Sequence, residues 1–315
     1  TGLNPWVAVV LGILAAAAYL LRTAGLALLL AWILESLMQR RFRQAMVRGA
    51  VSALPILFWQ AHVWRVTRSY EYLHPAYSYQ RAAYYYSNVT YAENARLIDP
   101  FRPELGQLGI GDLGKRMVSN LAGIPVGLGE SAVVPGWIAP SLLRQLHRAV
   151  GIPSSAIWRE ALSATLYIGL FGVGLLALTG AFMVMKRKQW FLSLYFGTTL
   201  VLVIITPWQN QFWRYLAPIA PLTLSFVFLL LINARHRLRE LKPKWGRTTG
   251  MLVAAAPITA ILILQIVLVV HLLRSMEPGS YYDRSGREHV FKLLDYGSEW
   301  HALDSTFEWI RRHAA

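Results

Sequence analysis

The sequence predicts an all-α integral membrane protein, with about seven transmembrane helices and a large external loop containing interfacial helices. Three observations predict it. Hydrophobic residues make up 55% of the 315-residue chain against 15% charged, with mean hydropathy +0.39, which is not the balance of a soluble domain. Apolar runs recur near the roughly 20 residues that a helix needs to cross a bilayer. The basic residues gather in short connections between those runs.

The runs fall at 3–21, 23–39, 45–63, 158–185, 190–208, 216–234 and 248–273. Little more than Arg22 separates the first two, which predicts a tight hairpin. Region 64–157 is polar in parts and rich in Pro and Gly, so it reads as external loop. Region 274–315 mixes charges of both signs with scattered aromatics. The expected organisation is three transmembrane helices in 1–63, an external (periplasmic) loop region in 64–157, four transmembrane helices in 158–273, and the start of an external C-terminal region in 274–315. The chain opens on Thr1 and closes in an amphipathic stretch, Phe307–Ala315. Both ends read as cut, as expected for the later part of a longer membrane protein.

Orientation follows from charge. Arg40, Arg41, Arg43 and Arg48 lie in one connection, Lys186, Arg187 and Lys188 in a second, and Arg235, Arg237, Arg239, Lys242, Lys244 and Arg247 in a third, against the lone acid Glu240. By the positive-inside rule this face is cytoplasmic, so the first residues are cytoplasmic and the C-terminal region periplasmic. The predicted location is the cell inner membrane, with membrane lipids as neighbours. The net charge of +15 is then mostly topological, which argues against nucleic acid as a partner. The absence of cysteine excludes disulfides and thiolate chemistry.

The most informative stretch is Gln209–Tyr215, an arginine flanked by amides and aromatics between two apolar runs. Charges at a membrane face are costly and point to function. In one reading Arg214 binds a phosphate or other anion while Gln209, Gln211 and Trp213 hold a sugar by hydrogen bonds and stacking. In the other it is a snorkelling arginine in an interfacial aromatic belt. Arg22 carries the same pair of readings. If both arginines face one cavity, they make a two-cation clamp for a phosphate-bearing ligand.

The external region holds eight of the chain's 15 tyrosines between Tyr70 and Tyr91. That density suits a membrane interface or carbohydrate stacking. Leu142, Leu143, Leu146 and Val150 recur at helical spacing opposite Arg144 and His147, as in a helix lying among headgroups. Gly109-x-Gly111-x-x-Gly114 matches a dinucleotide fingerprint by letter, yet no apolar strand precedes it and no βαβ unit surrounds it. Asn88-Val-Thr90 matches a glycosylation acceptor by letter. The eight histidines show no metal-ligand spacing, and no metal or cofactor is expected. Glu130 is one of six acids in the external region, and its sequence context does not single it out.

Two segments resemble a family. Ala18–Leu26, containing Arg22 and Gly25 and followed by an apolar run and Arg40, Arg41 and Arg43, resembles the leucine–threonine–arginine–proline–x–glycine hairpin of GT-C membrane glycosyltransferases. Phe212–Pro218 resembles that family's arginine–tyrosine–leucine–x–proline turn before a late span. Thr23 stands where the hairpin motif has proline. The chain is thus similar to the C-terminal part of bacterial members such as protein O-mannosyltransferases and lipid A aminoarabinose transferases.

The resemblance implies an enzyme that passes a sugar from a polyprenyl-phosphate carrier to a lipid, glycan or protein acceptor outside the cytoplasmic membrane. It also implies that Arg22 and Arg214 bind the carrier phosphate, while Tyr215, Gln209, Gln211 and Trp213 shape the sugar pocket. The family's catalytic aspartate lies upstream of the matched hairpin, so no catalytic residue is expected here. A transporter or flippase of an anionic lipid or sugar explains the arginines equally well, but the spans show no internal repeat. A non-catalytic scaffold would explain the tyrosines and leave both arginines incidental.

Overall fold

The structure is a computed structural model describing residues 5–74, 91–136, 138, 156–241, 243–274, 277–282 and 286–293, together with parts of 305–313. The interfacial helix expected over Leu142–Val150, the tyrosines from Tyr77 to Tyr86 and the Asn88 acceptor lie outside the described residues.

Helices dominate: α1 (Pro5–Leu21), α2 (Leu26–Met38), α3 (Phe42–Thr67), the short α4 (Tyr70–Leu73) and α5 (Tyr91–Arg96), α6 (Ile110–Ala132), α7 (Ala156–Lys186), α8 (Trp190–Ile204), α9 (Phe212–Leu216), α10 (Ala220–Leu241) and α11 (Pro243–Arg274). Three helical stretches are long and apolar enough to cross a membrane: Glu160–Lys186, Gln209–Leu238 and Ala255–Arg274. Three of the expected seven spans thus meet that length and composition among the described residues. The runs at 3–21, 23–39 and 190–208 form the shorter apolar helices Trp6–Leu21, Leu26–Met38 and Trp190–Ile204. The run at 45–63 lies inside α3, which also carries Arg43, Gln44, Arg48, Gln60 and His62.

The C-terminal region departs from an all-α fold. Strands β1 (Glu277–Tyr282) and β2 (Glu288–Leu293) pair antiparallel, with Tyr281 opposite His289 and Ser280 opposite Val290. The connection contains Gly286 at φ 80°, a conformation only glycine adopts freely.

The three basic connections share one end of the bundle. Arg187 donates from Nη2 to Asn233 Oδ1 at 3.1 Å, tying the α7–α8 turn to the late part of α10. Trp32 of α2 stacks on Phe191 at the start of α8, with ring centroids 5.6 Å apart. Arg48 reaches back from α3 to the Trp32 carbonyl and the Ser36 hydroxyl, and lies 3.9 Å from Glu35. From this end α2 and α8 run side by side, and Thr198, midway along α8, donates to the Ala27 carbonyl near the start of α2 at 2.9 Å.

The core holds a surprise for hydropathy. Its main cluster takes Ala177, Ala181 and Val184 from α7, Phe196 and Val203 from α8, and Phe226 and Val227 from α10. It also takes Ile124 and Leu128 from α6, which falls in the region expected to be external. Phe196 and Phe226 meet edge to face, with centroids 5.2 Å apart. Two close backbone crossings let α6 in. A Cβ on Gly129 would collide with the Leu170 carbonyl, and one on Gly174 with the Pro125 carbonyl. Small residues at helix crossings are the usual means of tight packing where apolar surface gains nothing by leaving lipid.

Candidate functional site

The site begins with the glycines of α6. Gly123 and Gly127 are four residues apart and so lie on one helix face. A Cβ on Gly123 would stand 2.9 Å from Gln209 Nε2, and one on Gly127 2.9 Å from Phe212 Cβ. Residues 209–212 can therefore lie directly on the α6 backbone. Gln209 donates from Nε2 to the Ser119 carbonyl at 3.2 Å. The next residue, buried Asn120, donates to the Ile204 and Thr206 carbonyls, both at 2.7 Å. Those carbonyls belong to the end of α8, where no further helical turn supplies partners. At the other end of α6, Gln265 of α11 donates to the Ala132 and Val133 carbonyls at 2.8 and 2.6 Å.

The stretch Gln209–Tyr215 is itself helical rather than an open turn. A 3-10 segment (Gln209–Gln211), α9 and a second 3-10 segment (Ala217–Ile219) lead without a break into α10. Pro218 and Pro221 lack the N–H that a regular helix would use at these positions, consistent with the change of pitch.

Between this run, α6 and α7 lies a cavity of about 510 Å³. Gln209, Asn210 and Trp213 line one side, Glu130 and Gly136 another, and Tyr167 of α7 a third. The Glu130 side chain folds over Gly136, where a Cβ would collide with its Oε1. Burial pushes the Glu130 carboxyl above the usual carboxylate range, because the charged form loses solvation. It forms no hydrogen bond or ion pair among the described residues.

The predicted site residues divide. Gln209 and Trp213 line the cavity. Gln211 accepts a hydrogen bond from the Tyr215 hydroxyl at 3.4 Å, and Tyr215 stacks on Trp208 with centroids 6.4 Å apart. Neither Gln211 nor Tyr215 lines the cavity. Arg214 is exposed, lies outside the lining, and has no hydrogen-bond or ion-pair partner among the described residues. Arg22 is exposed between α1 and α2, in a hairpin so tight that a Cβ on Gly25 would collide with the Ala18 backbone. The nearby Ala27 carbonyl is tied to Thr198, midway along α8, and no contact among the described residues joins the two arginines.

Sequence reasoning missed Glu130, Asn210 and Tyr167. Glu130 did leave a signal, as the lone acidic residue between Asp112 and Glu160, set in the glycine-rich apolar stretch 121–132. Asn210 sat inside the chosen motif. Tyr167 carries no pattern that separates it from other aromatics in an apolar run. The Gly109–Gly114 fingerprint opens α6 with no strand before it, so no phosphate-binding βα turn is formed. No group of three His, Cys, Asp or Glu that could hold a metal ion occurs among the described residues.

The chain matches no protein-family model, no curated protein and no solved structure.

The cavity wall combines ring faces with hydrogen-bonding groups. Trp213 and Tyr167 offer apolar ring faces, Gln209 and Asn210 offer amide donors and acceptors, and Glu130 offers a carboxyl that can accept or, when protonated, donate.

Proposed function

We propose that this chain acts as a GT-C-type membrane glycosyltransferase, moving a sugar from a polyprenyl-phosphate donor to a lipid, glycan or protein acceptor. In this reading it sits in the cytoplasmic membrane with seven spans, its basic connections inside and the cavity end outside. The observation that carries the proposal is the cavity of about 510 Å³, where amides, aromatics and one carboxyl meet beside an exposed arginine. The sugar ring enters between Trp213 and Tyr167, and its hydroxyls pair with Gln209 and Asn210. The carrier phosphate stays outside, where the planar guanidinium of Arg214 meets it, with Arg22 as a second cation at the same end. Arg214 there stabilises the charge on the departing polyprenyl phosphate.

The test uses the full chain in lipid nanodiscs with radiolabelled undecaprenyl-phosphate glucose and lipid extract as acceptor. Binding of the labelled donor is expected, with transfer only where the aspartate expected upstream of the hairpin is also supplied. Trp213→Ala lowers donor binding about tenfold, the scale of one lost ring-stacking contact. Arg214→Ala weakens donor binding and transfer together. If wild type neither binds nor transfers, the proposal is wrong; if both variants match wild type, the cavity and its arginine play no part.

A further inference from the structure

Glu130 is the one acidic group among the described residues lining the cavity, and no cation is among those residues. We infer that Glu130 sets the charge this cavity accepts, admitting a neutral sugar ring and turning away a ring that carries a carboxylate or phosphate. The inference rests on reading the cavity as a sugar site and adds which sugars can enter.

The groups facing Glu130 come from every side of the cavity. From α7 there is Tyr167, and from the 209–213 run there are Gln209, Asn210 and Trp213. Gln265 of α11 approaches the same end of α6, but its amide nitrogen is committed to the Ala132 and Val133 carbonyls. Arg214 follows Trp213 directly in sequence, yet lies outside the lining. Nothing in this set neutralises the carboxylate, and Gly136 beneath it offers no side chain.

A ligand that fills the cavity expels the water now solvating Glu130. A neutral ring replaces that water with hydroxyls, which can donate to the carboxylate or accept from the acid form. A ring bearing its own anion brings a second negative charge close to the first, in surroundings that screen charge far less than bulk water. Glu130 is half-buried in the cavity wall, so a second charge beside it would meet little relief from solvent. Discrimination thus comes from repulsion of the wrong ligand, as many specific sites arrange it. The same repulsion keeps a carrier phosphate out of the cavity, on the side of exposed Arg214.

Heptyl glucoside and heptyl glucuronide make a matched pair of probes, since the second carries a carboxylate where the first has a hydroxymethyl group. Equilibrium binding of each is measured to the full chain in nanodiscs at about pH 8, where the glucuronide is ionised, with empty nanodiscs subtracted. The glucoside should bind wild type at least about tenfold more tightly than the glucuronide. In Glu130→Gln, which keeps size and loses charge, the two should agree within about twofold. Glu130→Asp keeps the charge and should keep a preference for the glucoside. Glucoside binding with no discrimination in wild type, or discrimination that survives in Glu130→Gln, overturns the role of Glu130 and leaves the sugar site standing. If neither probe binds wild type, the sugar site itself is refuted and this inference falls with it.

Discussion

Helices α6 and α11 exchange the places that hydropathy would give them. The α11 segment Ala255–Arg274 meets the test for a membrane span, yet Leu262, Ile263, Ile266, Val267, Val269 and Val270 are all exposed on its surface. The α6 helix carries Asp112, Lys115, Arg116, five glycines and a mid-helix proline, yet it buries Asn120, Ile124, Pro125, Gly127, Leu128, Gly129 and Ala132. In a bilayer a uniformly apolar helix can face lipid at no cost. Close helix contact instead selects small side chains and satisfied polar groups. Hydropathy therefore finds the surface of such a protein better than its centre.

The sharpest way to break the comparison is to enlarge α6 where it crosses α7. Gly129→Val drives a branched side chain into the Leu170 carbonyl. It should cost about 3 kcal/mol or more, read as a loss of monodisperse protein and of the thermal transition. Asn120→Ala comes next, because it strands the Ile204 and Thr206 carbonyls in a buried setting. A cost of about 2 kcal/mol is expected, by thermal unfolding in nanodiscs.

Glu130→Gln gives a smaller, pH-dependent effect of opposite sign. The folded chain holds this proton above the pH at which the unfolded chain releases it. The carboxyl's contribution is fully present below the ordinary carboxylate pKa and is lost as pH rises through the raised value. The variant should thus be more stable than wild type at neutral pH, with the advantage vanishing in acid; equal melting curves at both pH values would contradict the burial described here. Ile266→Ala on α11 should have the smallest effect, within about 0.5 kcal/mol. A large loss there would mean that α11 packs against protein and not lipid.

The same contrast explains what could be read from the sequence. The runs at 158–185, 216–234 and 248–273 announce helices because lipid-facing length leaves a dense apolar signature. The Gln209–Tyr215 motif stood out because amides and an arginine interrupt that signature, and Gln209 and Trp213 line the cavity. The Arg22 hairpin was legible from the short break between two apolar runs, and the crowding at Gly25 shows how tight it is. The α6 helix was not legible, since its contact face is made of glycine, proline and asparagine, residues that otherwise mark loops. Glu130 was hidden for a related reason: what separates it from the other external acids is enclosure by residues about eighty positions further along the chain. The β1–β2 hairpin was missed because its mixed charges obscured the alternation of Tyr281, Val290 and their neighbours.

Asn120 has a consequence for how the protein is made. Its two carbonyl partners lie 84 and 86 residues further along the chain. At ordinary synthesis speeds they emerge on the order of ten seconds after it does. Until then α6 must wait with its polar amide and bare glycine face uncovered, a state that suits the membrane surface better than its interior. The hydrogen bonds that close this wall of the cavity can form only once the end of α8 has been made.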